Sequence, residues 1–155
     1  TNVVAGAGSI WVPSDAEGKI ARVDPETNEV IATIDVAPQT FFLAYGLDAL
    51  WAVSSEGRSI ERIDPATNKV TGSTELGKQP GFLAAGEGGV WVQEQGDGTV
   101  ARIDPETVTE TLEILARPGA AAGSGAIRYT PDGIWTSAHD VHSISWWSNA
   151  GAEAE

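Results

Sequence analysis

The stretch Arg62-Ile63-Asp64-Pro65-Ala66-Thr67-Asn68-Lys69-Val70 ends one strand, turns and starts another, and nearly the same letters stand 40 residues before it and 40 after. Each turn residue has a backbone role. The Asp64 carboxylate can accept from amides two and three residues on, Pro65 presets φ for the first turn position, and Asn68 tolerates the left-handed conformation that restarts the chain. A ring of catalytic or metal-binding carboxylates at Asp24, Asp64 and Asp104 is the competing reading. The turn reading is preferred, because it uses every element of D-P-x-T-N and not the acid alone.

The rest of the chain repeats with this turn. Trp11, Trp51 and Trp91 fall 40 apart, as do Arg22, Arg62 and Arg102, and Thr27, Thr67 and Thr107. A fourth copy starts at Trp135, 44 after Trp91, so four residues are inserted ahead of it. Ile144 stands nine after Trp135, matching Ile20, Ile60 and Val100, but Ser148-Asn149 replaces Asp-Pro and the copy stops before its last run. One period holds four short runs, Thr40 to Tyr45, Ala49 to Val53, Ser59 to Ile63 and Lys69 to Leu76. Runs of about 5 residues suit strands, and no stretch sustains a helical period. Four strands in about 40 residues is the signature of a β-propeller blade. The expected fold is all-β, a β-propeller of about four blades at 1–36, 37–76, 77–120 and 121–147, the last incomplete, with a C-terminal tail at 148–155. The recurring Trp is read as packing between neighbouring blades, since a ligand contact need not recur in every one.

Nine Lys and Arg against 22 Asp and Glu give −13, which argues against nucleic acid and anionic membrane surfaces as partners. No apolar run approaches the roughly 20 residues of a membrane-spanning helix. Zero Cys excludes disulfides, thiolate metal sites and Cys nucleophiles, and leaves the compartment open. With Thr1 first and no Met, the chain is expected to be processed, excised or partial.

Gly6-Ala7-Gly8-Ser9-Ile10-Trp11-Val12, followed by Ile20-Ala21-Arg22-Val23-Asp24-Pro25-Glu26-Thr27-Asn28-Glu29-Val30, resembles the bacterial YVTN-type and virginiamycin B lyase-like propeller repeats, cousins of the NHL repeats. The resemblance covers residues 3–147. It implies a propeller, commonly seven-bladed and secreted or periplasmic, so this chain would supply about half a ring. For activity it implies little, since the superfamily includes lyases, lactonase-like enzymes, dehydrogenase subunits and pure binders. Lyase-like members look for catalysis to histidines on the inner part of the upper face. Here Gln39 and Gln79 hold that inner position, 40 apart.

The upper face of a propeller is built from the links between blades and the connections from second to third strand, and function usually sits on such loops. Gln39, Lys78 and Gln79 on the first set, and Arg58 on the second, are candidate ligand contacts. His139-Asp140-Val141-His142 could offer two imidazoles and a carboxylate to a divalent metal, or a His base with an acidic partner. Its plain alternative is a pair of exposed loop histidines. The insertion at Arg117 to Gly125 is either a lid or a tolerated surface loop. Arg128 and Tyr129 take the places of Ala44-Tyr45 and Ala84-Ala85 on the innermost strand, where Arg128 would bind an anion in the channel or pair with one of the many acids. The recurrent Arg22, Arg62 and Arg102 read as structural, in ion pairs or stacked on Trp. No phosphate loop, nucleophile elbow, H-E-x-x-H or EF-hand loop is present. Gln95-Gly96-Asp97-Gly98 fits a hairpin turn better than a calcium loop.

Two functional readings follow. The first is an extracytoplasmic binding or assembly module that meets a small ligand or a partner. The second is half of an enzyme propeller, of lyase, lactonase or quinoprotein/amine dehydrogenase type. No residue pattern names a cofactor. In either case the wet faces of the end blades call for a second polypeptide, or a second copy, to complete the ring.

Overall fold

The computed structural model describes residues 2–14, 17–96, 98–115, 125–139 and 142–148, with the backbone alone for 112–115. They form four antiparallel sheets in chain order, and no helix. The first sheet holds β1 (Val4–Gly6), β2 (Ser9–Ser14), β3 (Lys19–Val23) and β4 (Val30–Asp35); the second holds β5 (Thr40–Gly46), β6 (Ala49–Ser54), β7 (Ser59–Asp64) and β8 (Lys69–Glu75). The third is β9 (Pro80–Gly86), β10 (Gly89–Glu94), β11 (Thr99–Ile103) and β12 (Glu110–Leu115), and the fourth β13 (Ile127–Thr130), β14 (Gly133–Ala138) and β15 (Ser143–Ser148). Each sheet is a meander in which every strand pairs with its neighbour in sequence. Among the described residues no helix is long and apolar enough to cross a membrane.

The repeated turn folds as its residues dictate. The Asp64 carboxylate accepts from the Ala66 amide at 2.8 Å and the Thr67 hydroxyl at 2.9 Å, while the Asn68 amide bonds the Asp64 carbonyl. Asn28 and Asn68 are left-handed, with φ of 59° and 57°. In the third copy Val108 takes that conformation at φ 54°, an unusual one for a β-branched residue. Its side chain is buried against Gly72, where an added Cβ would lie 2.6 Å from Val108 Cγ2. Packing there offsets backbone strain.

The Ala66 amide and the Thr67 hydroxyl hold the Asp64 carboxyl below its usual 3.8, and the Thr107 and Glu106 amides do the same for Asp104. A carboxyl lowered by folding adds stability above its unfolded pKa, and that stability is lost as pH falls through the folded value. Both turns should therefore weaken only below the ordinary carboxylate range. The Asp64→Ala, Asp104→Ala double variant should be less stable than the parent at neutral pH, and the difference should shrink in urea titrations near about pH 2. A constant difference would remove the carboxylates' role.

The core lies between blades. Trp11, Ile20 and Ile34 of the first blade pack on Leu43, Leu50, Ala52 and Ile63 of the second. Trp51, Val53 and Ile60 meet Leu83, Val90, Val92 and Ile103 of the third, and Trp91 and Val100 meet Ile127 and Ile134 of the fourth. The indole N–H groups of Trp11 and Trp51 donate to the Gly6 and Gly46 carbonyls at 3.0 and 3.1 Å. The Arg directly across the ladder covers its Trp, Arg22 over Trp11 at 4.8 Å and Arg102 over Trp91 at 5.5 Å. Stacking is thus what these two Arg residues do. Arg22 also ties blades together, donating through Nη1 to Pro65 O at 2.6 Å and Asn68 Oδ1 at 2.9 Å in the next blade's turn.

The repeat stops being equivalent at the ends of the arc. Ile20, Ile60 and Val100 are buried, yet Ile144 at the same position is 73% exposed, and Trp135 is 44% exposed where the other three are buried. Among the described residues nothing lies against this face of the fourth blade.

Candidate functional site

The four innermost strands β1, β5, β9 and β13 stand side by side and wall a groove of about 490 Å³ along the ring axis. Small, aliphatic and aromatic residues make up most of its lining. Phe42 and Phe82 hold matching positions on β5 and β9, 40 residues apart, with ring centroids at 4.7 Å. Tyr45 and Tyr129 are further aromatic members, and each lies over a glycine of the preceding blade, Gly6 and Gly86. Those glycines are there for space: a Cβ on either would come within 2.1 Å of the tyrosine ring. The Tyr129 hydroxyl is buried without a hydrogen-bond partner among the described residues.

Arg128 is the groove's cation, and no Asp or Glu lines the wall beside it. Its Nη1 donates to its own strand's Ile127 carbonyl at 2.8 Å, its side chain is exposed, and no described carboxylate pairs with it. Arg22 and Arg102 also lack a described carboxylate partner, but each stacks on a tryptophan, whereas Arg128 has neither contact among the described residues. Of the two roles open to Arg128 in the sequence, the ion pair is not the one found among the described residues. Facing the axis, beside aromatic walls, the guanidinium offers planar paired donors to an anion.

The other candidate ligand contacts lie outside this groove. Gln39 and Gln79 are left-handed turn residues, φ 57° and 49°, whose carbonyls accept the Ser55 and Gln95 amides. Lys78 stands on the link between β8 and β9, with its carbonyl on the Gly96 amide at 3.0 Å. Arg58 pairs with Glu75 at 3.0 Å. His139 and His142 flank the turn from β14 to β15, both exposed, and the His142 amide bonds the His139 carbonyl at 3.4 Å. Asp140 and residues 116–124 of the insertion lie outside the described residues. Among those described, no three His, Asp or Glu residues gather closely enough to hold a metal ion.

Two polar features were not anticipated from the sequence. The first two links between blades each leave a backbone amide beneath the upper face, Ala37 in one and Gly77 in the next. Glu61 Oε2 accepts the first and Glu94 Oε1 the second, each at 2.7 Å. Glu94 is buried and also receives the Thr99 hydroxyl at 3.2 Å. Its neighbour Gln93, buried where the second blade has Val53, donates to Ser137 O of the fourth blade at 3.4 Å. Reading W-V-Q-E against W-A-V-S, in register, exposes both departures.

No protein-family model matches the sequence, and no curated protein does. Solved structures match it closely in shape. Hydrazine synthase from Kuenenia stuttgartiensis superposes with a TM-score of 0.80 at 14% identity, over 94% of this chain and 44% of that one. The computationally designed Ika4 protein superposes at 0.77 and 16% identity, over 94% of this chain and 88% of that one. A streptogramin B lyase structure follows at 0.72 and 19% identity, over 90% of this chain and 48% of that one. The fold is a partial β-propeller of about four blades. This chain spans less than half of the hydrazine synthase and lyase chains and most of the Ika4 chain.

Proposed function

We propose that this chain is an extracytoplasmic β-propeller binding module whose site is the axial groove, and whose ring is completed by a second polypeptide or a second copy. The observation that carries the reading is Arg128, held without a described carboxylate partner in a groove with aromatic walls and no acid. That chemistry suits a small anion with a flat apolar body, such as an aromatic carboxylate: rings stack on Phe42, Phe82 or Tyr45 while the carboxylate takes the guanidinium. Extracytoplasmic placement rests on the resemblance to YVTN-type and virginiamycin B lyase-like repeats. The enzyme-half reading receives no support from the groove, which has no His and no acid among its lining residues. Catalytic groups would have to come from the other part of the ring.

Titration with benzoate, followed by the Arg128 side-chain and Tyr ring resonances, tests this. Shifts should concentrate on Arg128, Tyr45 and Tyr129, and Arg128→Gln should weaken binding at least tenfold. Shifts confined to Arg58, Lys78, Gln79 and the two histidines would move the site to the upper face. Unchanged affinity in Arg128→Gln would remove the anion site.

A further inference from the structure

We propose that the partner completing this ring is a second copy of the same chain: the open face of the fourth blade seats on the open face of the first blade of its twin, and two chains with four sheets each close head to tail around a two-fold axis.

The two open faces are the two halves of a junction that the chain already builds three times. In each internal junction a Trp and the residue nine after it face apolar side chains of the next blade. On the fourth blade Trp135 and Ile144 present the first half to solvent. On the first blade Val3, Ile10, Val12 and Val23 present the second half, at the positions of Leu43, Leu50, Ala52 and Ile63. Those four are buried in the second blade, whereas Val3 is 58% exposed and the other three are only half-buried. Stacked blades draw their stability from such contacts, so both faces gain by meeting.

Side-chain size near the axis agrees with this pairing. A Tyr at the next-to-last position of an inner strand lies over a Gly at the end of the preceding one, as Tyr45 does over Gly6 and Tyr129 over Gly86. Even where the following residue is Ala85, a Cβ on Gly46 would sit 2.9 Å from the Ala85 Cβ and 3.1 Å from its carbonyl oxygen, so the two strands would have to part slightly to admit one. The fourth blade carries Thr130 at the glycine position, which leaves no room for a tyrosine ring opposite. The first blade presents Ala5 there. A tyrosine is thus excluded opposite Thr130, and the open first blade is one of the two that present alanine instead.

The fourth blade also replaces the recurrent Arg with Trp146, whose ring lies 6.0 Å from Trp135. Inside the chain Arg22 reaches the turn of the next blade with charged hydrogen bonds. At the open junction an indole would meet the equivalent turn at Pro25. The outermost junction is therefore more apolar than the first internal one, as suits surfaces that meet from solution and stay together. Leading face on trailing face is a heterologous contact, which closes a ring when the rotation allows and otherwise runs on as a filament.

Sedimentation of the full chain should give one species of twice its 16.1 kDa. Ile144→Asp on one face and Val3→Asp on the other change exposed residues, so each chain should fold, yet each should self-associate at least a hundredfold more weakly because the dimer would bury an unpaired charge. Mixing the two variants should restore a one-to-one pair, since one junction then joins two unaltered faces. Ala5→Tyr should likewise break the dimer, and adding Thr130→Gly should restore it. A monomeric parent chain, a filament, a dimer that survives Ile144→Asp, or a mixture that stays monomeric would each overturn the proposal. None of these readings depends on ligand binding, so the groove and the ring stand or fall separately.

Discussion

Replacing Trp51 with alanine should remove about 3–5 kcal/mol of folding stability, whereas the same change at Trp135 should remove about 1 kcal/mol or less in a chain kept monomeric by Ile144→Asp. The two residues hold one position of the repeat, so propensity and local sequence cannot explain a difference. What differs is the blade beyond. Trp51 is fully buried between the second and third blades, its indole N–H on the Gly46 carbonyl, in a cluster with Val53, Ile60, Leu83, Val90 and Ile103. Alanine there leaves a cavity the size of an indole and an orphaned carbonyl, halfway along the arc. Because domains are stable by only about 5–15 kcal/mol and stacked blades depend on their junctions, the loss should show as an early, broadened urea transition. Trp135 has half of its surface in water already. Equal losses at the two positions would mean that the junctions do not hold the arc together.

The contrast marks what was legible in the sequence. Trp, Asp-Pro and Arg at a fixed interval were enough for the fold, because one turn and one blade junction serve every copy. The ends were legible only as a missing strand: that Ile144 and Trp135 lie open follows from the lack of a further blade among the described residues, not from their own neighbours. In the site, Arg128 stood out because it breaks the repeat, standing where the second and third blades have alanine. Phe42 and Phe82 did not, since a recurring aromatic on an inner strand reads as core until its ring is seen to wall a groove. Gln39 and Gln79 were read as ligand contacts from their register, yet the backbone accounts for that register: both sit where a left-handed residue turns the chain into the next blade. Val108 warns against the opposite inference, since the position imposes φ 54° on a valine that carries no mark of it.

The carboxylates that cap the blade links were invisible for a different reason, and they carry the second large effect. Ala37 and Gly77 are equivalent link amides, and each needs an acceptor because it is shielded from water. Glu61 supplies one from β7 and Glu94 supplies the other from β10, so the same task moves between strands and neither of these two columns is acidic in every copy. Where Glu94 stands the second blade has Ser54, and where Glu61 stands the third has Ala101. Glu94→Ser should therefore cost about 1.5–3 kcal/mol, the range for a charge-assisted hydrogen bond, although it restores the residue the repeat itself uses. The Thr99 hydroxyl loses its acceptor in the same step. Adding Ala101→Glu to Glu94→Ser should recover most of that loss, by capping Gly77 from β11 as Glu61 caps Ala37 from β7. Ala101→Glu alone should destabilise, since a second carboxylate would enter a buried space already holding one. Denaturation of the four chains in parallel decides the matter: a double variant no more stable than Glu94→Ser alone would show that Glu94 acts through its packing, and not through the amide of the link.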